Sequence, residues 1–241
     1  MDLTDALRTT GAVREFSDQP VSHEDLAAIL DVARFAPSGG NRQGWRVIVV
    51  DDVDSRRALR DAYLDAWHDY VAHGLAGQVA FSPLASADER QAARDLRDAA
   101  IASSDPQGFA ENLDTVPALL VVAIDLASLS ATDRDLDRYH FIGGASVYPF
   151  VWSILLAARE RDLAGVLTTV GTRNEPRLRE LFHIPSTWAV AAIVALGHPR
   201  RPRTRLTRRA VDQFARRDVF DGPSITSHPD VSTSATPGSS H

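Results

Sequence analysis

The stretch Ala36-Pro37-Ser38-Gly39-Gly40-Asn41-Arg42-Gln43-Gly44-Trp45 is the hinge on which the reading of this chain turns. Pro37 biases Ala36 out of the helical region, so a helix arriving from upstream has to stop there. Upstream, residues 22–35 carry that helix: Ser22 can cap it, Asp25 follows three residues later, and Leu26, Ile29, Leu30 and Ala33 fall on one face. Downstream, Trp45-Arg46-Val47-Ile48-Val49-Val50 is a β-branched run stopped by Asp51-Asp52, which predicts a strand. By itself the stretch is a helix stop, a glycine-rich polar loop and a strand start.

Working outward, residues 55–72 form a second helical pattern, with Leu59, Ala62, Tyr63, Ala66, Trp67 and Tyr70 as its stripe. The signal weakens from Gly74 to Asp114. Asp88 to Ser103 still has a helical pattern between Gly, Ser and Pro punctuation, which suits a lid. Residues 118–124 read as a buried strand, residues 144–161 as a long helix and residues 165–170 as a short strand. A helix capped near Asn174, with Pro176 in its first turn, precedes a continuous apolar strand over residues 188–196. Strands apolar on both faces imply helices on each side of a central sheet. Residues 222–241 have no aromatic and almost no apolar side chain, so a disordered tail is expected behind one domain over residues 1–221.

With 241 residues and 44% hydrophobic content, the chain can fill the core of that one domain. No apolar run approaches the roughly 20 residues that span a bilayer, and the N-terminal MDLTDALRTT has no signal-peptide pattern. The expectation is a cytoplasmic protein with no membrane partner. The sequence has no cysteine, which removes thiolate nucleophiles, iron–sulfur ligation and cysteine zinc sites. It has no lysine either, which removes Schiff-base chemistry and a Walker-type P-loop; all 26 basic residues are arginine. A net charge of −6 argues against a nucleic-acid partner. Eight arginines nevertheless fall between Gly197 and Arg217 against one acid, Asp212, as either a solvated strip or a phosphate anchor. Ser146 lacks the second glycine of a nucleophile elbow, no H-E-x-x-H occurs, and no G-x-G-x-x-G follows a strand. No metal site is expected.

Four segments, in order, resemble the nitroreductase family. They are Thr9-Thr10-Gly11-Ala12-Val13-Arg14-Glu15-Phe16 with Gln19-Pro20-Val21, then Ala36–Trp45, then residues 163–169 (LAGVLTT), and finally Leu196-Gly197-His198-Pro199 with residues 208–214 (RRAVDQF). The resemblance runs along nearly all of residues 2–220. It implies an α+β nitroreductase-like fold, a central mixed sheet flanked by helices, and a homodimer with FMN at the subunit interface. It also implies NAD(P)H as co-substrate and nitroaromatics, quinones or related small molecules as acceptors, reduced by a ping-pong route. No side chain is singled out as catalytic, because FMN carries the chemistry.

The implied cofactor-binding residues can each be given a physical reason. Arg14 matches the last position of the family's N-terminal phosphate motif, and Arg208 matches its C-terminal arginine; guanidinium forks suit a dianionic phosphate. Pro37, Ser38 and Gly39 would bring a tight backbone loop against the partner subunit's FMN. Asn41 and Gln43 add amide groups suited to the uracil-like edge of the flavin. Leu167, Thr168 and Thr169 match the segment beside the ring's reactive edge, where an N–H or hydroxyl tunes the cofactor. Every one of these residues also has a plain structural reading, as surface arginine, ordinary turn or strand threonine.

The chain departs from the family at Gly11, where an arginine is usual, at Gly44, where proline is frequent, and at Glu15, where a basic residue is frequent. A lost charge-assisted contact at Gly11 would weaken FMN binding about ten-fold or more. Three other readings stay open at this stage: a flavin-dependent dehydrogenase or oxidase of a small metabolite, a non-catalytic FMN-storage protein, and a relative that has lost flavin.

Overall fold

A computed structural model describes residues 2–201 and 205–226. The chain divides into two compact units, residues 1–204 and 205–241. The division falls ahead of the composition change at residue 222. Most of the expected tail, residues 227–241, lies outside the described residues.

The first unit begins with helix α1 (Leu3–Thr9) and helix α2 (His23–Ala33). Ser22 caps α2 by accepting the Asp25 N–H at 3.0 Å. Strand β1 (Trp45–Val49) follows the glycine loop, and helix α3 (Val53–Leu75) follows β1. The Asp51-Asp52 strand stop is at the same time a helix start: the Asp52 carboxylate accepts the Ser55 N–H at 2.8 Å. The expected helix over residues 88–103 is two helices, α4 (Ala87–Asp95) and α5 (Arg97–Ala102), separated at Leu96. A capping box between Ser86 and Glu89 fixes the start of α4.

Strand β2 (Ala118–Asp125), helix α6 (Tyr148–Ala158), strand β3 (Ala164–Thr168), helix α7 (Glu175–Leu181) and strand β4 (Trp188–Gly197) complete the unit. Helix α6 is shorter than the residues 144–161 expected. Pro149 occupies its first turn, where a missing N–H costs nothing, and tight 3₁₀ turns flank it on both sides. Asn174 precedes α7 but does not cap it. Its side-chain amide instead donates to the Ala62 carbonyl at 2.7 Å and to the Asp65 carboxylate at 2.9 Å, fastening α7 to α3.

The four strands stand in the order β1-β2-β4-β3, and each pairing is antiparallel. The expected α+β sheet is therefore present, but among the described residues it is antiparallel rather than mixed. Both faces are covered. In β2, Leu120, Val122 and Ile124 meet α2 and α6 on one side, while Leu119, Val121 and Ala123 meet Leu59, Ala62 and Tyr63 of α3 and Leu178 of α7 on the other. A bulge where β4 pairs with Val122 and Ala123 leaves Ala191 out of the ladder, so Ala191 and Ala192 share one face. The Arg56 guanidinium donates to the carbonyls of Val50, Asp114 and Val116, tying α3 to the end of β1 and the approach to β2. Burial pushes its pKa down, and the neighbouring Asp51 and Asp114 oppose that shift.

The second unit is described over residues 205–226. It contains a 3₁₀ turn at Val211–Gln213 and an isolated bridge between Arg216 and Ser224.

Candidate functional site

Strand β3 positions the first half of the site. Its C-terminal residue, Thr168, is 9% exposed, and its hydroxyl lies 3.1 Å from the Tyr63 hydroxyl on α3. Burial raises the Tyr63 pKa; the Thr168 hydrogen bond and the Arg14 charge pull the other way. Tyr63 meets Phe109 edge-on, with centroids 6.2 Å apart, and the Arg14 guanidinium lies 5.9 Å from the Phe109 ring centroid. The Val13 N–H donates to the Gly165 carbonyl at 2.9 Å, which lays the Arg14 segment along β3. Arg14, Tyr63, Phe109 and Thr168 thus form one connected group.

Arg14 is exposed and makes no ion pair or hydrogen bond among the described residues; its one described side-chain contact is Phe109. It stands in the wall of a cleft of about 1080 Å³, together with Arg56, Arg200 and Asn112 and with the acids Glu15, Asp18, Asp105 and Asp114. Two polar atoms adjoining this segment, Thr10 Oγ1 and Arg159 Nε, are buried without a hydrogen-bond partner. The Arg159 guanidinium reaches Thr9 Oγ1 through its other nitrogen at 3.5 Å. Thr10 and Arg159 do not line the cleft; the exposed Arg14 guanidinium does, and its N–H groups suit an oxyanion.

The loop before β1 is the second half. Gly40, Asn41 and Gln43 all have positive φ, at 60°, 53° and 49°. The Ser38 hydroxyl accepts the Gln43 N–H at 3.0 Å, and the Ser38 carbonyl accepts the Asn41 N–H at 2.8 Å. The Gly39 N–H donates to Ser146 Oγ at 3.1 Å, and a Cβ on Gly39 would sit 3.2 Å from both Ser130 Oγ and Ser146 Oγ. A side chain there would crowd both hydroxyls, so glycine eases the close approach. Arg42 closes the outer side by donating to Ser130 Oγ at 2.9 Å. The Asn41 and Gln43 amides bond each other at 3.1 Å. Pro37 is exposed and Trp45 stacks on Phe150 at 4.5 Å, holding the loop against α6. Gly44 has its own cause, since a Cβ there would lie 1.8 Å from Ser128 Oγ.

The two halves stand on opposite edges of the sheet. The loop leads into β1 and Thr168 ends β3, with β2 and β4 between them. Three inter-strand steps amount to about 14 Å. One chain therefore gathers Arg14 with Thr168, and separately gathers Pro37, Ser38, Gly39, Asn41 and Gln43. Leu167 is half-buried and packs into the α2/α6 core, while Thr169 is exposed and its carbonyl accepts from Thr172. Arg208 belongs to the second unit, where it is exposed and donates to the Thr207 carbonyl at 2.8 Å.

Sequence reading missed the partners of these residues. Tyr63 counted only as helix stripe, and Ser146 only as a failed nucleophile. His68 lies inside α3 and His73 in its last turn, bonded to Ser104 and Gln78 respectively. No helix among the described residues is long and apolar enough to cross a membrane, and no cluster among them suits a metal ion.

Comparison with known proteins places this geometry. Residues 7–198 match the nitroreductase family. A protein of Archaeoglobus fulgidus, provisionally described as an NADH dehydrogenase/NAD(P)H nitroreductase, is 30% identical over 194 residues, which cover 80% of this chain and 82% of that one. The nitrobenzene nitroreductase of Ectopseudomonas oleovorans is 29% identical over 202 residues, covering 81% and 86%. Among solved structures, oxidized iodotyrosine deiodinase bound to FMN and 3-iodo-L-tyrosine superposes with a TM-score of 0.62 at 23% identity, covering 91% of this chain and all of that one.

Proposed function

This chain belongs to the nitroreductase family, and we propose that it is an FMN-dependent oxidoreductase that uses NAD(P)H to reduce small nitroaromatic, quinone or related acceptors by a ping-pong route. The observation that carries the reading is Arg14, an exposed guanidinium in the cleft wall with no carboxylate at ion-pair distance among the described residues. Its N–H donors fit the phosphate of FMN. When bound, FMN supplies the redox chemistry, accepting a hydride from the nicotinamide and passing reducing equivalents to the acceptor.

The residues of this chain bind and orient. Arg14 would hold the phosphate; for Arg208, in the second unit, that role rests on the family resemblance alone. Thr168 and Thr169 would stand beside the ring's reactive edge; the Thr168 hydroxyl is already taken by Tyr63 and by the Val170 N–H, so its side chain is fixed before any ligand arrives. Leu167 would supply the apolar support behind them. The Pro37–Gly39 loop, stiffened by Ser146 and by the Ser38–Gln43 bond, would come from a second copy of the chain, with Asn41 and Gln43 toward the flavin's polar edge. Sheet order supports that reading, because the loop and Thr168 of one chain lie on opposite edges.

The test is a titration of the purified protein with FMN, followed by anaerobic addition of NADH or NADPH. A saturable yellow complex that bleaches on adding reductant is the expected result. A protein that takes up no FMN sinks the reading, and a yellow protein that no reductant bleaches turns it toward storage. The Gly11→Arg variant should bind FMN about ten-fold more tightly, because it restores one charge-assisted phosphate contact. An unchanged dissociation constant would show that Gly11 lies away from the phosphate.

A further inference from the structure

A second cavity, of about 360 Å³, opens between α3, α4, α5 and the turn after β3. Its polar wall is made by Arg90 and Arg94 of α4, Arg97 of α5 and Arg173 of the Val170–Asn174 turn, against a single acid, Asp69. Arg97 is neutralised there: its Nε lies 2.8 Å from the Asp69 carboxylate, and it also pairs with Asp65. The other three arginines have no carboxylate within ion-pair distance among the described residues. Arg94 rests on the Gln91 amide oxygen and Arg90 on the Ala85 carbonyl. Arg173 makes no hydrogen bond among the described residues, and its guanidinium lies 4.9 Å from the Phe81 ring centroid. The neighbouring Glu89 carboxylate accepts the Ser86 N–H at 2.7 Å and also feels the Arg90 charge, without reaching ion-pair distance of it.

The apolar wall carries strain. Phe81 has φ 55°, a conformation that costs a bulky residue of order 1 kcal/mol or more and persists only where its surroundings enforce it. The Phe81 ring packs against the His73 ring, edge-on at 4.9 Å, and against Tyr70, at 6.4 Å. His73 is itself buried and fixed by Gln78 at 3.0 Å. Three guanidiniums with no described carboxylate in ion-pair range, one of them stacked on the Phe81 ring, make a wall suited to an anionic group on a flat molecule.

We propose that this pocket binds a carboxylate or phosphate group of a small planar ligand, with Arg94 and Arg173 as its principal contacts. The turn bearing Arg173 leads straight out of Thr169, so the ligand is assigned to the redox site. That assignment rests on the flavin reading; the anion site itself rests on the side chains alone. The charged group then belongs either to the acceptor or to the phosphorylated reductant.

Calorimetry on the FMN-saturated protein separates the two. If the acceptor carries the anion, 4-nitrobenzoate binds at least about ten-fold more tightly than nitrobenzene; if the reductant does, NADPH exceeds NADH by a similar factor. In either case Arg94→Met and Arg173→Met should each erase most of the preference, while Arg173→Lys keeps part of it. Both arginines are exposed, and unchanged unfolding midpoints would show that the variants are folded. No preference for either anion, or a preference that survives both methionine variants, overturns the proposal. A preparation that binds no FMN but still selects the anion in this pocket overturns the flavin reading instead.

Discussion

Replacing Gly165 by alanine should lower the thermal midpoint by roughly 10 °C, corresponding to a loss of about 3–4 kcal/mol. Gly165 lies in β3 opposite Leu196 of the buried central strand β4. A Cβ at this position would stand 2.1 Å from the Ala195 carbonyl oxygen and 2.7 Å from Leu196 Cδ2. The first of these is backbone of a strand hydrogen-bonded on both sides, so no side-chain rotation relieves the clash. Strand β3 has to move outward, and the Val13 N–H, bonded to the Gly165 carbonyl, is displaced with it. The same change at Gly74 is the control. That glycine sits near the end of α3, where an added Cβ would meet nothing within 4 Å, so Gly74→Ala should raise stability by about 0.5–1 kcal/mol. Calorimetric midpoints of the two variants should move in opposite directions. A Gly165→Ala midpoint within 2–3 °C of the parent, on the scale of about 1 kcal/mol, would mean that the β3–β4 contact is looser than described.

Alternation and helical periodicity made most elements legible, because both patterns are local. Strand β2 up to Asp125 and strand β4 throughout are apolar, and both are covered on both faces, as that pattern requires. Local signals said nothing about sheet order, and here the long connections return each strand antiparallel to its neighbour. Pairs such as Gly39 with Ser146 and Tyr63 with Thr168 are more than 100 residues apart, and no spacing rule links them. Composition failed differently at Asn174. A residue with good capping chemistry was given a better use, bridging two helices. The basic pocket was also hidden, since Arg90 and Arg94 sit one turn apart on α4 while Arg173 comes from a turn about 80 residues further along the chain.

The site's dependence on one arginine follows from what the chain lacks. With glycine at 11 and glutamate at 15, Arg14 is the one basic residue among residues 9–16. A guanidinium gripping phosphate through two charge-assisted bonds contributes about 3 kcal/mol or more, so Arg14→Met should weaken FMN binding about a hundred-fold. Its contact with Phe109 is worth only about 0.5–1 kcal/mol at an exposed site, so that loss alone cannot produce the effect. Riboflavin separates the two contributions, since it presents the same ring and ribityl chain without the phosphate. Fluorescence titration should show Arg14→Met binding riboflavin as the parent does, and Arg14→Lys recovering part of the FMN affinity as a point charge. Added salt should weaken FMN binding to the parent more than to the methionine variant, because an exposed charge pair is screened. Equal losses for FMN and riboflavin would make Arg14 a packing residue that shapes the wall with Phe109. No loss for either would place the phosphate away from Arg14 altogether.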